Sequence, residues 1–141
     1  MEGSFTLPRE GSTSDPLRIA VLISGGGSGL ASILAYESLE PRSFHTVLVL
    51  ADSIEAGGLD HARKAGIDSI GIPLPRIVDK KEQRLKHEDL VHEQLEKYNT
   101  ELIALAGYMR IFTPVFVEKW KGRLINIHPS LLPKYPGAHA H

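Results

Sequence analysis

Five short apolar runs, each separated from the next by a segment of helical character, constrain the fold of this 141-residue chain more than any other feature. The runs are rich in β-branched residues and are continuously apolar, as expected of strands buried on both faces. No hairpin-type turn joins two of them directly. The pattern therefore predicts βαβ crossovers and an α/β fold, with an open, mainly parallel sheet and helices on both of its faces.

The predicted strands cover residues 19–23, 47–51, 68–72, 101–106 and 124–127, and the predicted helices cover residues 30–35, 59–65, 82–98 and 114–120. The first fifteen residues lack a periodic apolar pattern, so we predict a flexible tail over 1–15 and one folded unit over 16–141. Within the longest helix, the expected inner stripe is Leu85, Leu90, Val91 and Leu95. The histidines at positions 45, 61, 87 and 92 are expected on the surface.

Composition excludes several classes of protein and of site. The chain has 16 basic and 17 acidic residues, a net charge of −1, which argues against a nucleic-acid or membrane-surface partner. It has no cysteine, which excludes disulfides, thiolate metal sites and a cysteine nucleophile. His139 and His141 have no further clustered ligands beside them, so no metal site is predicted. Nothing in the sequence indicates the oligomeric state.

A glycine-rich loop follows the first predicted strand. In parallel sheets, ligands bind beyond the carboxyl ends of the strands. The segment Gly26, Gly27, Ser28 and Gly29 would let a ligand approach the backbone at the start of a helix, where unpaired N–H groups favour a phosphate. A dinucleotide site, with Asp52 as the ribose-binding acid, and a simple turn without a ligand remain as alternatives.

Two further strand ends carry candidate site residues. After the fourth strand, Met109, Arg110, Ile111 and Phe112 could line a pocket for a flat ligand, although the apolar members could equally be ordinary core. After the fifth strand, Asn126 and His128 stand two residues apart and would share a face if the strand persists. An amide and an imidazole aimed at one point could stabilise an oxyanion and move a proton.

These three loops together resemble the formyltransferase family that acts in purine synthesis. The resemblance is carried by Ile23-Ser-Gly-Gly-Gly-Ser28, by Leu105-Ala-Gly-Tyr-Met-Arg-Ile-Phe112, and by Asn126-Ile-His-Pro-Ser-Leu-Leu-Pro133 followed by Lys-Tyr-Pro-Gly137. It covers nearly all of residues 17–141. It implies the Rossmann-like formyltransferase fold and a cytoplasmic enzyme that moves a formyl group from 10-formyltetrahydrofolate to the amine of glycinamide ribonucleotide, with small-molecule substrates and no metal.

By this resemblance, Asn126 and His128 polarise the formyl oxygen, and the glycine loop cradles the ribonucleotide phosphate. Residues 109–112 line the folate pocket, and Arg84 is the closest match to a folate-contacting arginine at the start of the long helix. The alternatives are a formyltetrahydrofolate deformylase-like hydrolase and a noncatalytic phosphate- or folate-binding fragment. The deformylase typically carries a second histidine where this chain has Pro129.

The chain departs from the family pattern in two places. The family commonly has asparagines in the glycine loop, where this chain has Gly26 and Gly29. The family's catalytic aspartate lies in a downstream loop that the 141 residues do not reach. We therefore expect the C-terminal part of the domain to be absent here, and the 141-residue chain alone to be catalytically incomplete.

Overall fold

The computed structural model describes residues 6–127 and arranges five strands in one parallel sheet. The strands are β1 (Leu17–Ile23), β2 (Phe44–Ala51), β3 (Ser69–Gly71), β4 (Leu102–Leu105) and β5 (Leu124–Asn126). The helices are α1 (Ser28–Ser38), α2 (Gly58–Lys64), α3 (Lys80–Lys97) and α4 (Pro114–Lys119). The predicted α/β fold is thereby confirmed, and the predicted ends of the elements differ from the observed ones by three residues or fewer.

The strand order is β3-β2-β1-β4-β5. The chain moves outward from β1 in one direction through β2 and β3, and then returns to add β4 and β5 on the other side. This reversal opens a crevice between the carboxyl ends of β1 and β4, which is the usual ligand position in an open α/β sheet.

Helices cover both faces of the sheet and bury two apolar clusters. In β1, Val21 packs on the side of α1 and α2, whereas Leu22 packs on the side of α3 and α4. Both side chains are fully buried. A strand covered on both sides needs apolar residues at every position, which explains why the run is continuous.

Helix α3 begins earlier than its apolar pattern predicts. Asp79 precedes it in an extended conformation, and its carboxylate accepts a hydrogen bond from the backbone N–H of Glu82 at 2.9 Å. This cap satisfies one of the free N–H groups of the first turn. Helix α3 therefore begins at Lys80, two residues before the predicted start.

The segment that precedes β1 is held to β4 by charged side chains. Arg9 Nε donates to Glu101 Oε2 at 2.5 Å, and Arg9 Nη2 donates to the carbonyl oxygen of Pro16 at 2.9 Å. Glu101 also accepts a hydrogen bond from the backbone N–H of Arg18 at 2.9 Å. The flexibility of residues 1–15 stays a prediction.

Acidification is expected to weaken this attachment. The hydrogen bond from Arg9 lowers the pKa of the Glu101 carboxyl below its ordinary value of 4.5, which outweighs the opposite effect of partial burial. The stabilisation is thus present above about pH 4.5 and is lost as pH falls through the lower folded-state pKa. In Glu101→Gln the stability should therefore fall less between pH 6 and pH 3 than it does in wild type. The denaturant midpoints at these two pH values measure the difference, with Glu93→Gln, on the exposed face of α3, as control.

Candidate active site

The three strand ends singled out in the sequence come together at one edge of the sheet. Strand β1 pairs with β4 through Leu22 and Leu105, and Leu105 pairs in turn with Asn126 of β5. The glycine loop, the segment after β4 and the end of β5 therefore face the same crevice. Any ligand bound between β1 and β4 can contact all three.

The glycine loop is shaped by a close backbone contact. Gly27 has φ of 75° and ψ of 33°, the left-handed conformation, and stands at the N-cap of α1. The backbone N–H of Gly58 donates to the carbonyl oxygen of Gly25 at 2.9 Å, which draws the start of α2 against the loop. A Cβ on Gly27 would lie 2.8 Å from the Gly58 Cα. Both the conformation and the packing require glycine at position 27.

A cavity of about 630 Å³, here called the glycine-loop cavity, lies above this turn. It is lined by Ser24, Gly25, Gly26, Gly27, Ser28, Gly29, Ala106, Gly107, Met109, Asn126 and Ile127. All four predicted phosphate-binding residues are among them. No side chain caps α1 and no acidic residue occupies its first turn, so the free N–H groups and the positive end of the helix dipole suit an anion.

A second cavity of about 460 Å³, the arginine cavity, lies beside the first. It is lined by Leu74, Arg84, His87, Glu88, Tyr108, Met109, Arg110, Ile111 and Phe112. The five residues predicted to bind folate therefore lie together around one space. Met109 lines both cavities, so the segment after β4 forms their common wall.

Polar contacts from other elements hold this wall in place. The Ser24 hydroxyl accepts a hydrogen bond from the backbone N–H of Met109 at 2.8 Å. Arg84 Nη2 donates to the carbonyl oxygen of Ile111 at 3.1 Å. Met109 and Ile111 are 78% and 82% exposed, so the alternative that they belong to the core is wrong. For Phe112 that alternative is right in part, because its ring stacks on Phe116 with centroids 4.2 Å apart.

Two polar residues of α3 that were not predicted as site residues form another wall of the arginine cavity. His87, expected on the surface, is only 3% exposed, and its Nε2 donates to the carbonyl oxygen of Ile72 at 2.7 Å. Glu88 is 7% exposed and accepts hydrogen bonds from the backbone N–H of Thr113, at 2.6 Å, and from the Thr113 hydroxyl. The expectation for His87 is therefore wrong. His87, Val91 and Leu95 follow one another at intervals of four residues and so share a helix face, which is the signal that could have revealed its burial.

Replacing Glu88 should destabilise the fold measurably. Glu88→Ala leaves the Thr113 N–H and hydroxyl without their acceptor in a buried position, and an unpaired buried donor costs about 1 to 3 kcal/mol. We expect a loss of about 2 kcal/mol in the free energy of unfolding, measured by denaturant titration. Glu93→Ala, on the exposed face of the same helix, is the matched control. Equal losses in the two variants would contradict the prediction.

The Tyr108 ring separates the arginine cavity from the apolar core. Among the described residues its hydroxyl has no hydrogen-bond partner and is shielded from solvent. Burial, together with the negative charge of Asp52, raises the pKa of Tyr108 well above its ordinary value. The hydroxyl is therefore protonated at neutral pH and can donate to a ligand atom.

Asp52 does not stand free at the end of β2 as a dinucleotide site would require. Its carboxylate is 12% exposed, and Oδ2 accepts a hydrogen bond from Arg110 Nε at 3.3 Å. This ion pair occupies the acid that would bind a ribose hydroxyl. The arrangement favours a phosphate group at the glycine loop over a dinucleotide.

Asn126, the last residue of β5, is exposed and borders the glycine-loop cavity. Its amide can donate to a ligand atom in that cavity. His128, predicted to share its face, lies outside the described residues, as do His139 and His141.

Within residues 6–127, no three histidine, aspartate or glutamate side chains cluster as metal ligands would. None of the helices in this part of the chain is both long enough and apolar enough to cross a bilayer.

The sequence matches a family model described as formyl transferase over residues 17–141. It is 41% identical over 125 residues to the phosphoribosylglycinamide formyltransferase of Escherichia coli K12, covering 89% of this chain and 57% of that protein. It is 42% identical over 127 residues to the bovine trifunctional purine biosynthetic protein adenosine-3, covering 88% of this chain and 12% of that protein.

Solved structures give the same result. The phosphoribosylglycinamide formyltransferase of Coxiella burnetii superposes with a TM-score of 0.71 at 38% identity, over 87% of this chain and 56% of that one. The enzyme from Streptococcus pneumoniae superposes with a TM-score of 0.66 at 36% identity, over 87% and 62%. The chain thus spans little more than half the length of these bacterial proteins.

Proposed function

The chain belongs to the formyl transferase family, and from that premise we propose that it transfers a formyl group from 10-formyltetrahydrofolate to the amine of glycinamide ribonucleotide, in de novo purine biosynthesis. The observation that carries the proposal is the pair of adjoining cavities with Met109 as their common wall. One cavity suits a phosphate, and the other, which Arg84 and Arg110 line, suits a second ligand with negative charge. Two substrates held side by side are what a group transfer requires.

The glycine-loop cavity is the proposed site of glycinamide ribonucleotide. Its backbone N–H groups at the start of α1, contributed by the segment from Gly26 to Gly29, would hold the phosphate. Asn126 borders the same cavity, on the neighbouring side of the crevice. A ribonucleotide anchored by its phosphate can therefore present its amine near the Asn126 amide.

The arginine cavity is the proposed site of the folate co-substrate. Arg84 and Arg110 contribute positive charge that suits the carboxylates of a folate, and Met109, Ile111 and Phe112 contribute apolar contacts. Because Met109 also borders the glycine-loop cavity, a folate in this position can bring its formyl group toward the ribonucleotide.

The proposed reaction begins with attack of the ribonucleotide amine on the formyl carbon. Negative charge develops on the formyl oxygen, and the Asn126 amide and a protonated His128 would stabilise this charge by hydrogen bonding. The tetrahedral intermediate collapses as the bond between the formyl carbon and N10 of the folate breaks. The proton that the attacking amine loses passes to N10, and His128 can take part in that transfer. The proposal uses no metal ion, and this point, like the cytoplasmic location, stays a prediction.

The experiment mixes the chain with 10-formyltetrahydrofolate, with and without glycinamide ribonucleotide, and follows tetrahydrofolate and the formylated product. Equilibrium titration of each ligand accompanies it. Tetrahydrofolate release only in the presence of the ribonucleotide supports transfer. Release without it supports the deformylase-like alternative and contradicts the proposal. Tight binding of both ligands with no turnover is the expected result for the 141 residues alone. The same result in a chain extended by the C-terminal part of the family's domain supports the noncatalytic fragment instead, and failure to bind either ligand rejects all three.

A further inference from the structure

Two neighbouring strand ends hold two consecutive residues of the common wall. Ser24 follows β1 and Asp52 follows β2, and the register pairs Ile23 with Ala51, so Ser24 and Asp52 are neighbours at the edge of the sheet. Ser24 holds the backbone N–H of Met109 at 2.8 Å, and Asp52 holds the Nε of Arg110 at 3.3 Å. The wall is therefore fixed at one point through its backbone and at the next through a side chain.

The Asp52–Arg110 pair differs from the ion pairs on the protein surface. The Asp52 carboxylate is 12% exposed, whereas both members of the Arg63–Asp60 pair on α2 are more than half exposed. A charge with little access to water needs a partner, so Asp52 constrains Arg110 more strongly than a solvated carboxylate would.

The pairing uses only part of the Arg110 guanidinium. A guanidinium has five N–H donors, and only the Nε–H is engaged by Asp52. Within residues 6–127, Nη1 and Nη2 of Arg110 make no hydrogen bond, although Arg110 lines the arginine cavity. These two terminal nitrogens, which can bind a carboxylate with two parallel hydrogen bonds, are therefore available to a ligand.

We propose that Asp52 is a positioning residue for ligand binding: it holds Arg110 by Nε at the wall of the arginine cavity, so that the two terminal nitrogens are oriented toward a carboxylate of the ligand. Holding the side chain before binding saves the entropic cost of immobilising it when the ligand binds. The identity of the ligand rests on the proposed function. The contact between Asp52 and Arg110 does not.

The test titrates wild type, Asp52→Asn and Asp52→Ala with 10-formyltetrahydrofolate and with an analogue in which amides replace the glutamate carboxylates. We expect both variants to bind the folate roughly 3- to 10-fold more weakly than wild type. The amidated analogue should bind all three proteins equally, because Arg110 has no carboxylate to recognise. Affinity for glycinamide ribonucleotide should not change. Asp60→Asn, which removes an exposed arginine partner, is the matched control.

Equal weakening for the folate and its amidated analogue would overturn the proposal, because a general loosening of the wall affects both. If the wild-type protein binds no folate, the proposed function fails. The rate of hydrogen exchange at the Arg110 Nε–H, measured by NMR, then tests whether Asp52 holds Arg110. A slowly exchanging Nε–H in wild type that becomes fast in Asp52→Asn supports it. A fast-exchanging Nε–H in both proteins overturns it.

Discussion

In a chain extended by the C-terminal part of the family's domain, replacing Asn126 by alanine is expected to lower the rate of formyl transfer by at least about 100-fold, equivalent to ~2.7 kcal/mol. The amide borders the glycine-loop cavity at the end of β5 and would donate to an oxygen whose charge grows only in the transition state. Removing such a donor raises the barrier without weakening substrate binding to the same degree. The initial rate of tetrahydrofolate release measures the effect, and titration with glycinamide ribonucleotide should show an affinity within about threefold of wild type.

Two variants separate the chemistry of Asn126 from its size. Asn126→Asp keeps the shape but replaces the NH₂ donor by an oxygen, so we expect a loss at least as large as that of the alanine variant. Asn99→Gly changes an asparagine between α3 and β4, where φ is 54° and glycine is readily accommodated. It should leave the rate unchanged. An active Asn126→Asp would show that donation by the amide is not what the reaction uses.

The fold follows closely from the sequence because each strand is buried on both faces. In β1, Val21 and Leu22 face opposite helix layers, so nothing interrupts the apolar run, and the pattern leads directly to a parallel sheet. The pattern was less informative in α3. There His87 and Glu88 occupy the buried stripe, and their polarity concealed the face they share with Val91. Their burial depends on acceptors and donors in Ile72 and Thr113, which lie far away in the chain.

The site could be predicted only up to the positions of its strand ends. That the ends of β1, β4 and β5 meet follows from parallel pairing, and the resemblance added roles for Arg84 and Asn126. The contacts that shape the cavities could not be foreseen, because they join residues distant in sequence. Ser24 holds Met109, and Asp52 holds Arg110, through side chains whose directions depend on the packed tertiary structure.

Gly27→Ala is expected to destabilise the protein by about 2 to 6 kcal/mol, because two independent costs add. A left-handed φ of 75° strains alanine by about 1 to 3 kcal/mol. The new Cβ would lie 2.8 Å from the Gly58 Cα, and relieving an overpacked backbone contact costs about 1 to 3 kcal/mol more. Denaturant titration measures the sum, which is a large part of the 5 to 15 kcal/mol typical of a domain.

Two other glycines divide the Gly27 effect into its parts. Gly66 after α2 has φ of 74° but open space around its Cβ position, so Gly66→Ala reports strain alone and should cost less. Gly26 has neither positive φ nor a neighbour within 4 Å. Gly26→Ala should therefore leave stability within about 0.5 kcal/mol of wild type.

Gly26→Asp tests whether the loop holds a phosphate. Its carboxylate would place a negative charge at the wall of the glycine-loop cavity, so we expect at least about tenfold weaker binding of glycinamide ribonucleotide, or ~1.4 kcal/mol. Gly26→Asn has the same shape without the charge, fits the family pattern and should not weaken binding. The affinity of the dephosphorylated nucleoside should fall much less in Gly26→Asp, because the repulsion acts on the phosphate. Unchanged ribonucleotide affinity in Gly26→Asp would place the phosphate away from this loop.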